Sequence, residues 1–174
     1  DALSHCMDSQ PLVEHIPSLR RYARVLTGDA WAADDLVQDT LERACSKLRL
    51  WAVGSDLRAW LFTIMHNLFA TQMRRTRPRA TVPLEDVSNE LRAVESGRDH
   101  GIDLQRCLLQ LPEEQRTVLL LVTLEDLSYA EVAKVLGIPA GTVMSRLSRA
   151  RARLHELMEG TAMTPRRAGL RRLK

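Results

Sequence analysis

Ser128-Tyr-Ala-Glu131-Val-Ala-Lys-Val-Leu-Gly137-Ile-Pro-Ala-Gly-Thr142-Val-Met-Ser-Arg-Leu-Ser-Arg-Ala-Arg-Ala-Arg153 decides the fold of the C-terminal half. Ser128 and Glu131 have capping-box spacing, in which the hydroxyl accepts from one backbone amide and the carboxylate from another. Ala133, Val135 and Leu136 supply a small apolar inner face. Gly137 follows where a left-handed residue would end the helix. Pro139 suits the start of the next helix, where a fixed φ and a missing N–H cost nothing. Two short helices joined through a glycine-containing turn of this length make a helix-turn-helix.

The second helix of the pair divides by face. Val143, Leu147, Ala150 and Leu154 recur at i, i+4, i+7 and i+11, so they should pack inward. Thr142, Ser145, Arg146, Arg149 and Arg153 fall largely on the other side, with Arg151 beside them. No acidic residue lies between Glu131 and Glu156. Arginines so placed can neutralise phosphates and read guanine edges bidentately. A merely solvated basic helix is the alternative for the charge alone. Capping box, turn and basic face together favour DNA binding.

Working outward, residues 106–159 carry as many acidic as basic groups, and residues 160–174 carry five basic and none acidic. The net charge of +3 therefore hides local basic surfaces, which suit site-directed nucleic-acid binding. Cys6, Cys45 and Cys107 are far apart and lack metal-ligand or paired spacing. They read as buried small hydrophobes in a reducing compartment. No secretory h-region or long apolar span is visible, so a soluble cytoplasmic protein without membrane insertion is expected.

Helical periodicity is nearly continuous, and the fold class reads as all-α. Leu12, Ile16, Leu19, Ala23 and Leu26 trace a stripe that Pro17 breaks in two. Thr27-Gly28-Asp29 ends it and caps a helix from about Ala30 to Leu48. Ser55 or Asp56 starts another that reaches about Arg75, with Leu57, Leu61, Ile64 and Leu68 as its main apolar stripe. Residues 9–76 are thus one small helical domain. Residues 77–102 lack a sustained apolar face and read as a flexible linker. Leu104, Leu108 and Leu111 restart a helix, Pro112 opens the next at N1, and residues 103–160 form a second domain. Residues 161–174 read as a basic, disordered tail.

Two faces of the first domain are chemically unusual. Asp35, Gln38, Asp39 and Glu42 lie at i, i+3, i+4 and i+7, with Asp34 at the edge of the stripe. The like-charged pair Asp35–Asp39 weakens an isolated helix by about 0.2–0.5 kcal/mol. The stripe is either a solvated face or a docking surface for a basic protein groove. The following helix carries Asn67, Thr71 and Arg74 on one side, with Trp60 above them and Arg49, Trp51, Arg58, Arg75, Arg77 and Arg79 around it. Amides for base edges, aromatics for stacking and arginines for phosphate suit a splayed single strand. Trp60, Phe62 and Phe69 can equally be core.

These segments together resemble bacterial RNA polymerase sigma factors of the extracytoplasmic-function (ECF) group, from Leu12 to Met158. Asp34-Asp-Leu-Val-Gln-Asp-Thr-Leu-Glu-Arg-Ala44 is similar to that family's region 2.2, and Arg58 through Arg75 to regions 2.3 and 2.4. Leu111-Pro-Glu-Glu-Gln-Arg-Thr-Val118 and Leu136 through Arg151 are similar to region 4. The resemblance implies that Asp34, Asp35, Gln38, Asp39 and Glu42 dock on core RNA polymerase. It implies that the loop from Arg49, with Trp51, and the helix residues Asn67, Thr71, Arg74 and Arg75 engage the −10 promoter element. It implies that Thr142, Ser145, Arg146, Ser148, Arg149 and Arg151 engage the −35 element. An anti-sigma factor is the implied inhibitor, in a stress-response setting. Met144 departs from a position often basic in the family, and Leu41 from a frequent Phe.

No cofactor, metal or small-molecule substrate is expected, and no enzyme. His5, His15, His66, His100 and His155 are scattered, without a metal or nucleophile motif. Two rivals remain. A repressor or activator could use the same helix-turn-helix without the Asp34–Ala44 and Arg58–Arg75 segments. A sigma-like decoy could bind only an anti-sigma factor, but it would have little need of Arg146 and Arg149, and a preceding receiver domain is not expected here.

Overall fold

The computed structural model describes residues 10–48, 51, 56–76 and 99–162. All secondary structure among them is helical. Helix α1 spans Gln10–Val13 and α2 spans Ile16–Thr27, with Pro17 in the first turn of the latter, where it lacks no partner. Helix α3 (Ala30–Lys47) follows within three residues. Gly28, at φ +72°, returns its N–H to the Arg24 carbonyl and ends α2, and the Asp29 side chain accepts from the Trp31 amide at 2.8 Å to begin α3. Helix α4 (Leu57–Thr76) is opened by Asp56, whose carboxylate accepts from the Arg58 and Ala59 amides. Leu19, Tyr22, Leu26, Leu36, Leu61, Phe62 and Met65 bury between these helices. Tyr22 and Phe62 meet edge-on with ring centroids 5.2 Å apart.

The second half holds α5 (Asp99–Gln110), α6 (Glu113–Thr123), α7 (Tyr129–Leu136) and α8 (Ala140–Ala162). Val118 and Leu121 of α6 meet Val143, Leu147 and Ala150 of α8, all buried. Ser128 and Glu131 form the full capping box: the Ser128 amide donates to Glu131 Oε2 at 2.7 Å, and the Glu131 amide to Ser128 Oγ at 3.2 Å. Hydrogen bonds from Ser128 hold the Glu131 carboxyl below its ordinary range. Gly137 closes α7 at φ +64°. Buried Arg116 donates to the Leu109 carbonyl at 3.2 Å, satisfying the end of α5.

Several expectations are corrected. Pro112 is the residue before α6, extended at ψ 141°, so the helix opens at Glu113. Helix α5 begins at Asp99, inside the segment read as linker, and α8 runs to Ala162, past the expected end at 160. Leu104 is 39% exposed; Cys107, Leu108 and Leu111 make the inner face instead. Within α7, Val132 is buried with Val135, while Ala133 and Leu136 are only half-covered. Cys45 is exposed rather than buried, and Cys107 is buried as expected. Cys6, most of the segment read as linker and nearly all of the basic tail lie outside the described residues.

The two halves share one apolar body. Buried residues from Leu12 of α1 to Ala150 of α8 form a single contiguous cluster. Helix α2 packs on α5 and α6, and α4 packs on α7. Gln105 Nε2 donates to the Val25 carbonyl at 3.3 Å across this seam.

Candidate polymerase and promoter interfaces

Helix α3 turns its buried residues Ala33, Leu36, Val37, Thr40 and Ala44 toward the core, which leaves the acidic stripe outside. Thr40 donates to the Leu36 carbonyl at 2.7 Å, so its buried hydroxyl needs no outside partner. Asp34 and Asp35 are exposed, Asp34 within 3.8 Å of Arg20 Nε. Gln38 donates to Glu42 at 3.3 Å. Asp39 is partly covered, and desolvation together with the Asp35 and Glu42 charges raises its carboxyl above the ordinary range. A stripe that repels itself is held at a local cost, which fits a surface kept for an opposite charge. Trp31 continues the stripe four residues before Asp35 and is 88% exposed. Sequence reasoning missed it, although its i−4 position relative to Asp35 was visible.

A groove of about 410 Å³ runs between α3 and α4. Asp39, Arg43 and Lys47 line one wall, and Asn67, Thr71, Gln72 and Arg75 the other. Thr71 donates to the Asn67 backbone carbonyl at 2.8 Å and accepts from Arg74 at 3.3 Å, and the i, i+4, i+7 spacing of the three puts them on one edge of α4. Arg43, Lys47 and Gln72 were not singled out in sequence; their joining with α4 depends on helix packing that periodicity does not specify. Among the aromatics, Phe62 and Phe69 are core and Trp60 is half-buried against it. Trp51 is also half-covered and packs on the core, with its indole nitrogen buried. Arg49 lies outside the described residues.

On α8, Ser145, Ser148, Arg149 and Arg151 are exposed and Thr142 is half-exposed. Ser145 donates to the Thr142 carbonyl at 3.1 Å. Arg149 folds back on the same turn, donating through Nε to the Ser145 carbonyl and through Nη2 to Ser145 Oγ, both at 3.3 Å. Exposed Met144 shares this surface. Arg146 is different: its side chain is only 23% exposed and pairs with Glu114 at 3.1 Å. It lines a 170 Å³ cavity with His66 and Ala70 of α4, where burial and the Arg146 charge lower the His66 pKa. Among the described residues no cluster of His, Cys, Asp or Glu could hold a metal ion, and no helix is long and apolar enough to cross a membrane.

Comparison with known proteins supplies the identity of this arrangement. Over 146 residues the chain is 38% identical to the ECF RNA polymerase sigma factor EcfG of Rhodopseudomonas palustris, covering 82% of this chain and 80% of the relative. The chain belongs to the ECF RNA polymerase sigma factors. It is also 35% identical to the ECF sigma factor SigM of Mycobacterium tuberculosis over 147 residues, which are 83% of this chain and 73% of that one. Residues 12–66 match the family model "Sigma2 domain of PhyR" and residues 102–154 match "Sigma-70, region 4". Among solved structures, the sigma factor RpoE of Bartonella quintana, in complex with the anti-sigma factor NepR, is 35% identical. It superposes with a TM-score of 0.71 over 87% of this chain and 96% of that one. ECF sigma factors are non-enzymatic initiation factors, so the chain is not an enzyme. In this ECF factor α1–α4 are region 2, and α5–α8 are region 4 with its helix-turn-helix.

Proposed function

We propose that this chain binds core RNA polymerase and directs promoter-specific initiation in the cytoplasm, under control of an anti-sigma factor. One observation carries the reading: an exposed acidic stripe on α3 and an exposed arginine face on α8 occur in a single chain of this family. Asp34, Asp35, Gln38, Asp39 and Glu42 dock on a basic surface of the polymerase. Asn67, Thr71, Arg74 and Arg75, with Arg49 and Trp51 ahead of α4 in the chain, hold the opened −10 element, whose unpaired bases suit amide and guanidinium contacts. Thr142, Ser145, Arg146, Ser148, Arg149 and Arg151 read the −35 duplex and its phosphates. The anti-sigma partner is supported by the complex of NepR with a similar sigma factor.

The test is transcription from genomic promoter fragments by core polymerase with and without the chain. Specific transcripts that depend on the chain, and are lost with Asp39→Arg, support the reading; identical transcripts with and without it overturn it.

A decoy that only captures an anti-sigma factor is favoured by one observation, the match of residues 12–66 to the Sigma2 domain of PhyR. The intact basic face of α8 argues against it, and the same transcription experiment separates the two.

A further inference from the structure

Glu125 is a fully buried carboxylate in the turn between α6 and α7, in region 4, yet its charged partners come from region 2. Arg21 of α2 reaches both of its oxygens at 3.2 Å, and Arg58 of α4 reaches Oε2 at 3.0 Å. Arg58 also donates to the Glu125 backbone carbonyl. The turn is built to aim this residue: the Glu125 amide donates to the Leu120 carbonyl, the Leu127 amide to the Leu121 carbonyl, and Asp126 is left-handed at φ 53°. A buried carboxylate stripped of its cationic partners is strongly disfavoured, so Glu125 stabilises the chain only while the two regions stay together.

The same closed arrangement engages the DNA-reading helix. Arg146 is tied to Glu114 and lines one cavity with His66 and Ala70 of α4, so one of the residues assigned to the −35 element sits beside region 2. The two promoter elements lie about 25 base pairs apart, on the order of 80 Å of duplex. Helices α4 and α8 line one small cavity together, so they cannot occupy both elements at once in this form. Residues 77–98 connect the halves, and a segment of that length can reach on the order of 70 Å when extended. Opening is therefore sterically available.

We propose that the Arg21–Glu125–Arg58 cluster is an intramolecular latch that keeps the free chain closed and unable to read both promoter elements. The inference rests on the sigma-factor reading for its meaning, but its physical content is a property of the free chain. Polymerase docking opens the latch, because a chain spread over two distant promoter elements must withdraw Glu125 from both arginines. A ligand can do so only by binding the open form more tightly.

The test measures a distance in the full chain without polymerase. Spin labels are placed on native Cys45 of α3 and on a cysteine from His155→Cys on α8, in a Cys6→Ser background; buried Cys107 stays unlabelled. The unmodified latch should give one narrow, short distance distribution. Arg21→Glu should broaden it and lengthen its mean by on the order of 10 Å or more, within the reach of the connecting segment. Arg21 is half-exposed at the surface of region 2, so the helical circular dichroism should stay unchanged. Should the charge reversal lower helicity, Arg21→Ala supplies the same reading. A variant distribution equal to that of the parent, or a parent distribution already broad, overturns the latch. Adding core polymerase to the parent tests the functional reading separately: absence of binding would defeat that reading and leave the free-chain distances standing.

Discussion

A Cβ atom built on Gly28 would lie 2.7 Å from Leu109 Cδ1, so the glycine that ends α2 is also the seat on which α5 rests. Gly137 has a similar left-handed backbone at φ +64°, but a Cβ there meets nothing within 4 Å. Gly137→Ala therefore reports backbone strain alone, about 1 kcal/mol. Gly28→Ala adds displacement of Leu109 and should cost about 1–3 kcal/mol in total. Urea unfolding of both variants checks the difference; equal losses would mean that Leu109 yields freely.

Glu131 should make stability depend on pH in a definite direction. Its folded pKa is depressed, so its contribution is fully present above the unfolded value of 4.5 and disappears as pH falls through the lower folded value. Glu131→Gln keeps an acceptor for the Ser128 amide but loses the charge, and should cost about 0.3–1 kcal/mol near pH 7. The gap between variant and parent should close below pH 4.5, measured by denaturant midpoints across the series.

Asp39 works with the opposite sign. Its folded pKa is raised, so the folded state is penalised increasingly as pH rises through the unfolded value of 3.8. Asp39→Asn should stabilise the chain at pH 7 by a few tenths of a kcal/mol (~0.2–0.5), with no gain at pH 3. The same variant should bind core polymerase more weakly. Improved stability with undiminished polymerase affinity would detach this carboxylate from the docking surface.

Trp31 is so exposed that Trp31→Ala should leave the unfolding midpoint within about 0.5 kcal/mol of the parent. At an interface, a large aromatic beside a charged stripe commonly carries a disproportionate share of affinity. Core-polymerase titrations should then show a loss of tenfold or more, about 1.4 kcal/mol. An unchanged titration would confine docking to the carboxylates.

Arg149→Ala should reduce discrimination at one −35 position by about 1–3 kcal/mol. Ser145→Ala removes the hydroxyl that holds the Arg149 fork at 3.3 Å and should have a smaller effect in the same direction. Competition binding with duplexes mutated one base pair at a time provides the measurement. A uniform fall across all duplexes would recast Arg149 as a phosphate contact.

Much of this structure was legible because its signals are local. The Ser128–Glu131 box, the left-handed Gly28 and Gly137, and the buried side of α8 each depend on residues within a few positions of one another. The outer stripe of α3 followed from helical spacing for the same reason. What escaped is set by distant partners. Nothing near Glu125 in sequence foretells a buried carboxylate, because Arg21 and Arg58 are 104 and 67 positions away. Leu104 continues the stripe of Leu108 and Leu111, yet it stays exposed because none of the described helices covers it. Arg146 looks equivalent to Arg149 along the chain; its ion pair with Glu114 of α6 and the neighbouring α4 set them apart.

The uninterrupted apolar body running from Leu12 to Ala150 carries a liability. Parting the halves uncovers an oily seam along α2 and α5, including Leu109 and Val25, that water tolerates poorly. An opened molecule without a companion would be sticky, drifting toward clumping as its concentration rises. Staying shut until a larger body can shelter that seam would thus also keep the chain dispersed.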